Sequence, residues 1–496
     1  MTRLAVSGPS PKCAEAGAAL GRAGGNAVDA ALAAMMVGLV TEIAVIAPGA
    51  GGFATVGGPD HPPVVYDGAM AMPGLGLDPD RLGGGGVPVH IGYGGGVDTI
   101  VGPGSVAVPG GWAAMGAVWK DYGSAPWREI VAPALDHARR GFPLGSVADY
   151  YLQYSFEPIF SPDPKSRAAL HNGNRRRNAG ELIWVPGLAD TLSAIATDGT
   201  EVLYGGDLGQ DISRDILERG GIITRRDLSE YRVRKRSPIV LGLEGWTVAL
   251  NPPPAVGGVA LAGMLAKVGL APPLSPRRLI EAQLEVLGYR SSHIDGARDW
   301  KEGIAKMSKL MLAGLGSAST VNISAVDSSG LACAVTLSGG YGSGVIAGGS
   351  GMWMNNSLGE IELTGGKFHG QPPGQRLMSN MAPTVMWRDN GAVVAAGSPG
   401  ADRITTALQT TLASVIVDGC SLAEAVERHR GHVERTPEGW SLRYEEGFCT
   451  DGLEIPLRGF DGRHMYFGGV SAAALHPDGS MEAVADSRRV GKGIVL

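Results

Sequence analysis

The segment Ser319-Thr320-Val321-Asn322-Ile323-Ser324-Ala325-Val326-Asp327 puts a hydroxyl at the head of an alternating run. The chain turns at Ser328-Ser329-Gly330 and returns as Leu331-Ala332-Cys333-Ala334-Val335-Thr336-Leu337-Ser338. Two alternating runs around a glycine turn predict a β-hairpin. The small residues Gly316-Ser317-Ala318-Ser319 in front of it mark a point where the chain could be cut. A cut before Thr320 would give it a free α-amine with a pKa of about 8. That amine can take the hydroxyl proton of its own residue, directly or through one water. Thr320 would then hold nucleophile and base together. A hairpin with one threonine is ordinarily just a hairpin, so the rest of the chain decides what this one means.

Other pieces recur along the sequence. Near the start stand Gly24-Gly25-Asn26-Ala27-Val28-Asp29-Ala30-Ala31 and Pro48-Gly49-Ala50-Gly51-Gly52-Phe53. The middle holds Gly220-Gly221-Ile222-Ile223-Thr224-Arg225-Arg226-Asp227-Leu228 with Tyr231, then Asn251-Pro252-Pro253-Pro254-Ala255-Val256-Gly257-Gly258. After the hairpin come Tyr341-Gly342-Ser343-Gly344, Asn355-Asn356, Ser379-Asn380-Met381-Ala382-Pro383-Thr384 and Gly397-Ser398-Pro399-Gly400. In this order the chain resembles the γ-glutamyltransferase family of self-processing N-terminal nucleophile hydrolases.

The resemblance implies an α+β fold, a four-layer αββα sandwich. It would be one domain made of a large fragment, residues 1–319, and a small fragment, residues 320–496. Thr320 falls where the family has its nucleophile, and Ser338 where a second hydroxyl orients it. Pro399-Gly400-Ala401-Asp402-Arg403 replaces the family's G-G-S-R type loop. The N–H groups of Gly400 and Ala401 are expected to form the oxyanion hole, on condition that Ala401 keeps a negative φ. The family's T-T-H start is altered to Thr320-Val321-Asn322, and Asn322 is carried over as a substrate contact.

The substrate side departs from the family. The carboxylate-binding arginine of a D-F-R-E-M-A-P type segment is Ala69 in Asp67-Gly68-Ala69-Met70-Ala71-Met72-Pro73. Alanine cannot replace a bidentate Arg–carboxylate pair. The family's serine pair is half kept as Ser379-Asn380. Its amine-binding acids map to Ser357 and Glu360, so one carboxylate is left to read an amine. An asparagine is lost in the short Gly339-Gly340-Tyr341 turn. The expectation is a self-processing hydrolase or acyltransferase for a small amide or acyl substrate, with no cofactor. Two alternatives stand beside it. One is the carbon–carbon bond hydrolase linked to 4-alkylproline units of lincosamide and pyrrolobenzodiazepine antibiotics. The other is an unprocessed, non-catalytic binding protein. A heterotetramer, a dimer of processed heterodimers, is the assembly the resemblance allows.

Composition is compatible with this. The 496 residues are 44% hydrophobic and 18% charged, with a net charge of −6. That balance fits a globule. The charge is spread out, which argues against a nucleic-acid or membrane partner. No P-loop, G-x-S-x-G elbow or dinucleotide fingerprint is present. Cys13, Cys333, Cys420 and Cys449 have no metal-binding spacing. His429 and His432 lack a third ligand, so no metal site is predicted and the pair reads as a surface helix end. Residues 112–300 read as mostly helical. Strands are predicted at 391–396, 468–475 and 480–486, with a helix at 401–417. Met1 to Val6 show no secretion signal, so a cytoplasmic location is expected.

The hairpin generates the first prediction. N-terminal sequencing of the small fragment should read Thr-Val-Asn-Ile. The fragments should run near 33 and 18 kDa, the shares of 51.1 kDa held by 319 and 177 of 496 residues. Thr320→Ala should stay whole and inactive. A start at Ser319 would sink the assignment.

Overall fold

The computed structural model describes residues 3–92, 96–294 and 320–496. Ser319 and the small residues before it lie outside the described residues. The strands used below are β1 (Leu4–Gly8), β2 (Gly51–Gly58), β3 (His61–Gly68), β4 (Arg234–Arg236), β5 (Ile239–Leu243) and β6 (Trp246–Leu250). They continue with β7 (Thr320–Asp327), β8 (Ala332–Ser338), β9 (Thr384–Arg388) and β10 (Val393–Gly397). The last are β11 (Ser471–Leu475), β12 (Met481–Ala485) and β13 (Lys492–Val495). One seven-stranded sheet runs β4-β3-β2-β8-β7-β1-β13, and a six-stranded sheet runs β5-β6-β9-β10-β11-β12.

The sheets stack between two helical layers. Helices α1 (Pro11–Arg22) and α2 (Ala27–Thr41) cover the outer face of the first sheet. Helices α3 (Val256–Lys267) and α5 (Arg403–Asp418), with α4 (Pro276–His293) beside them, lie on the second sheet's side. This is the four-layer αββα sandwich that the resemblance implied.

Binary patterning explains the layers. All of α2 is buried, so it is apolar on every side and belongs in the interior. Asn26 caps it in a capping box with Asp29, whose carboxylate also takes the Ser124 and Ala125 N–H groups. No helix among the described residues is long and apolar enough to cross a membrane.

On β7 and β8 the odd positions Val321, Ile323, Ala325, Cys333, Val335 and Leu337 join the core under α2. The even positions Val326, Ala332 and Ala334 join Ala249, Val385, Ala395 and Ala473 between the sheets. Small side chains there let the sheets approach closely. Burial pushes the Cys333 thiol up to about 12, so it is an inert core residue.

The described residues of 112–300 are mostly helical as expected, interrupted by β4, β5 and β6. The tight turn at Glu244-Gly245 joins β5 and β6, and neighbouring sheet strands rather than local helix propensity decide their state. His432, against expectation, is no helix end. It is fully buried on the strand Gly431–Thr436, where Asp402 and Thr406 take its ring nitrogens.

The two sheets meet differently near the head of β7. Asn322 Oδ1 accepts from Thr336 Oγ1 at 2.8 Å. Its Nδ2 donates to Ser324 Oγ at 3.0 Å and to the Ser471 carbonyl at 3.3 Å. Gly397 leaves room for this amide, since a Cβ there would stand 2.1 Å from Asn322 Oδ1. Gly397→Ala should therefore lower stability by about 1–3 kcal/mol, read as a lower urea midpoint. An unchanged midpoint would mean that the amide is not held as described.

Candidate active site

Thr320 heads β7 and stands opposite Ser338, the last residue of β8. Both are buried, and Ser338 Oγ accepts from the Gly340 N–H at 3.3 Å. The even-face rule sends both side chains towards the seam between the sheets. There they line one small pocket with Ser357, Glu360, Ser379 and Asn380. The apolar walls are Met70, Leu363, Leu377, Met378, Met381 and Ile404. Its volume is about 20 Å³, room for one water.

Neighbouring backbone builds the pocket. Ala255 bridges to Ser379, and Gly257 N–H donates to the Ser379 carbonyl at 3.1 Å. A Cβ at Gly257 would stand 1.9 Å from the Asn380 carbonyl oxygen, which explains glycine in the Pro254-Ala255-Val256-Gly257-Gly258 stretch. Asn355 ties the other wall in place. Its Nδ2 donates to the Gly49 and Ala107 carbonyls, and its Oδ1 accepts from the Ala107 and Ser357 N–H groups. The Ser357 hydroxyl is buried and has no hydrogen-bond partner among the described residues, which leaves it available in the pocket. Glu360 is buried across from Gly340, where a Cβ would come within 3.1 Å of Glu360 Oε2.

The loop after β10 reaches the same place. Pro399 shares a second small cavity with Thr320, and Ile404 lines the pocket itself. Gly400 and Ala401 lie between them in sequence. Neither backbone N–H donates a hydrogen bond among the described residues, whereas their carbonyls accept from Arg403 and Ile404. Two donors that make no hydrogen bond among the described residues, on a loop that borders Thr320 through Pro399, suit an oxyanion.

The conformational condition does not hold. Ala401 has φ +65° and Gly400 φ +127°. The donors are presented by a left-handed turn, which a side chain disfavours by about 1–2 kcal/mol. The next residue helps fix the turn: Asp402 pairs with Arg403 and stands 3.3 Å from His432 Nε2. Burial opposes the Asp402 charge, but Arg403 and then His432 hold its carboxyl well below the usual range.

Asn322 lies two residues along β7 from Thr320. Its amide bonds to Thr336, Ser324 and Ser471, and it is absent from the pocket holding Glu360 and Asn380. It lines the second small cavity beside Thr320, with Pro399. Sequence reasoning missed Arg290. This residue is fully buried on α4, and its Nη1 donates to Asn380 Oδ1 at 3.2 Å. No signal marked it, because an arginine on a polar-looking helix ordinarily faces solvent. The methionines at 70, 378 and 381 were equally silent, since methionine is common in any core.

Position 69 has no charge to offer. Ala69 is buried with Phe53, Val65, Ala255 and Met381. Arg376, one alternative source, stands 3.3 Å from Asp67 and 4.1 Å from the Tyr231 ring centre. Arg403, the other, lies 4.5 Å from the Tyr466 ring centre and pairs with Asp402. Neither lines the pocket.

Two variants test the loop. Ala401→Gly keeps both N–H groups and removes the strain, so it should gain up to about 1 kcal/mol in stability with turnover preserved. Gly400→Ala puts a Cβ 2.7 Å from Gly468 Cα. The loop must shift, and turnover of the processed enzyme should fall about 100-fold. Normal turnover in Gly400→Ala would place the oxyanion hole elsewhere.

Comparison with known proteins identifies the family. A family model described as gamma-glutamyltranspeptidase matches residues 13–275 and 278–496. The chain is 27% identical to the glutathione hydrolase proenzyme of Pseudomonas aeruginosa, covering 99% of this chain and 94% of that protein. It is also 27% identical to the acylase ACY 1 proenzyme of a Pseudomonas species, covering 98% of this chain and 92% of that protein. In fold it is similar to a cephalosporin acylase from Bacillus halodurans, with a TM-score of 0.79 at 22% identity over 99% of this chain and 96% of that one. The chain therefore belongs to the gamma-glutamyltranspeptidase family and is an enzyme, a self-processing hydrolase or transferase.

Proposed function

We propose that the enzyme cuts itself before Thr320 and then transfers or hydrolyses a small acyl group that is not γ-glutamyl. The observation that carries this is the lining of the pocket beside Thr320. Glu360 is its one charged residue among the described residues, and the apolar remainder is rich in methionine. A γ-glutamyl group brings an α-carboxylate, which this lining meets with no cation. A neutral apolar acyl group fits the methionine wall. An acyl group bearing an amine could in addition pair with Glu360 and donate to Ser357.

The chemistry follows from the same residues. The freed α-amine of Thr320 takes the hydroxyl proton, and Oγ1 attacks the substrate carbonyl. The negative charge that develops on the carbonyl oxygen meets the Gly400 and Ala401 N–H groups. Collapse expels the leaving group and leaves an ester on Thr320. Water opens the ester in hydrolysis, and an acceptor amine opens it in transfer. The Ser338 hydroxyl, opposite Thr320, orients the nucleophile. Carbon–carbon cleavage would use the same steps with a stabilised carbanion as the leaving group.

The test compares a γ-glutamyl anilide with anilides of neutral aliphatic and amine-bearing acyl groups, using fully processed enzyme. A missing charge-assisted hydrogen bond costs about 1.5–3 kcal/mol. The γ-glutamyl anilide should accordingly trail the best neutral or amine-bearing anilide by at least about tenfold in kcat/KM. Preference for the γ-glutamyl compound would refute the reading.

A further inference from the structure

A second cavity lies away from Thr320 and shares no lining residue with its pocket. It has a volume of about 750 Å³, in the range of small-molecule sites. The helix Pro164–Leu170 forms one wall, and the hairpin of Ile346–Ala347 with Met352–Trp353 borders it through Ile346 and Gly348. Leu182 and Trp184 stand at its edge, each 55% exposed. An indole this open on a concave apolar surface is a ready stacking face.

The charge in the cavity is distinctive. In the run Arg175-Arg176-Arg177 the first guanidinium pairs with Glu181 and the second with Asp149, each at 2.6 Å. The third, Arg177, lines the cavity. Its guanidinium makes no hydrogen bond or ion pair among the described residues, and its Nε is buried without a partner. The other cation on the wall, Lys165, is already engaged: Nζ donates to the Gly348 carbonyl at 2.6 Å and faces Asp215 at 3.5 Å. Among the described residues no carboxylate lines the cavity. A buried donor without a partner is costly, and a guanidinium fork can pair with two oxygens of an anion such as a carboxylate or sulfonate.

We propose that this cavity binds a small amphipathic anion, with a flat apolar body against Trp184 and a carboxylate or sulfonate at Arg177. The concave shape favours a small molecule over the flat face of another protein.

Anilinonaphthalenesulfonate is a direct probe, because it has an aromatic body and one sulfonate. Its neutral counterpart, N-phenylnaphthylamine, lacks the charge. The full chain should bind the sulfonate saturably at one site, followed by dye fluorescence and calorimetry. Arg177→Met and Trp184→Ala should each weaken binding at least about tenfold. The neutral dye should bind at least about tenfold more weakly and ignore Arg177→Met. If Arg177→Met lowers the unfolding midpoint, Arg177→Gln replaces it in the comparison. The proposal is overturned by absence of saturable binding, by sulfonate binding that neither variant changes, or by equal affinity for the neutral dye. It is overturned equally if Trp184→Ala splits a dimer, since a second copy would then be the occupant.

Discussion

The site depends on one buried amide. Asn322 stands two residues from Thr320 on the same face of β7, and its three hydrogen bonds tie both sheets to that strand end. Elsewhere the sheets meet mostly through alanine and valine, with Ser7 Oγ donating to the Val484 carbonyl at 2.6 Å between β1 and β12. A buried polar group must be satisfied, so the Asn322 network tolerates one arrangement. Register matters more here than in an ordinary hairpin. A slip of one residue would turn Thr320 towards α2 and bring Val321 into the seam. The amide and the Gly397 space that admits it thus fix which way the hydroxyl points.

The sequence made the fold readable where its signals were local. The alternation of Thr320 to Asp327 and Ala332 to Ser338 specified the hairpin, because a period of two survives any tertiary context that buries both faces. The helix expected at 401–417 followed from spacing and is found at Arg403–Asp418. The segment 112–300 was less legible. Residues Ile239 to Leu243 and Trp246 to Leu250 become strands by pairing with one another and with β9, a contact far away in sequence. His432 was misread for the same reason, since its partners Asp402 and Thr406 come from α5 and the loop before it.

At the site, residue type alone could not tell a polar side chain that lines the Glu360 pocket from one that joins two sheets. Asn322 and Asn380 look alike in the sequence. The structure commits the first to the seam and sets the second in the pocket, backed by Arg290. The Ala401 turn was hidden too, because alanine ordinarily signals negative φ. Its left-handed conformation is held by the hydrogen bonds from Arg403 and Ile404 and by the Asp402 pairings on its far side. Strain of this kind survives only where the surroundings over-determine the backbone.

The two halves of the site differ in what supplies their chemistry. The Gly400 and Ala401 donors are backbone groups, so the loop can change from glycine to alanine and still present an N–H. The nucleophile needs only a hydroxyl and, after the cut, an amine that every chain start possesses. In the proposed reading specificity instead rests on side chains, which one substitution can change; position 69 is an alanine packed among Phe53, Val65, Ala255 and Met381. Ala69 is buried in that cluster, and among the described residues no cation lines the pocket beside Thr320. Glu360 is the one charge among the described lining residues, beside the hydroxyls of Ser338, Ser357 and Ser379 and the Asn380 amide, and the proposed preference for a neutral or cationic acyl group rests on that balance.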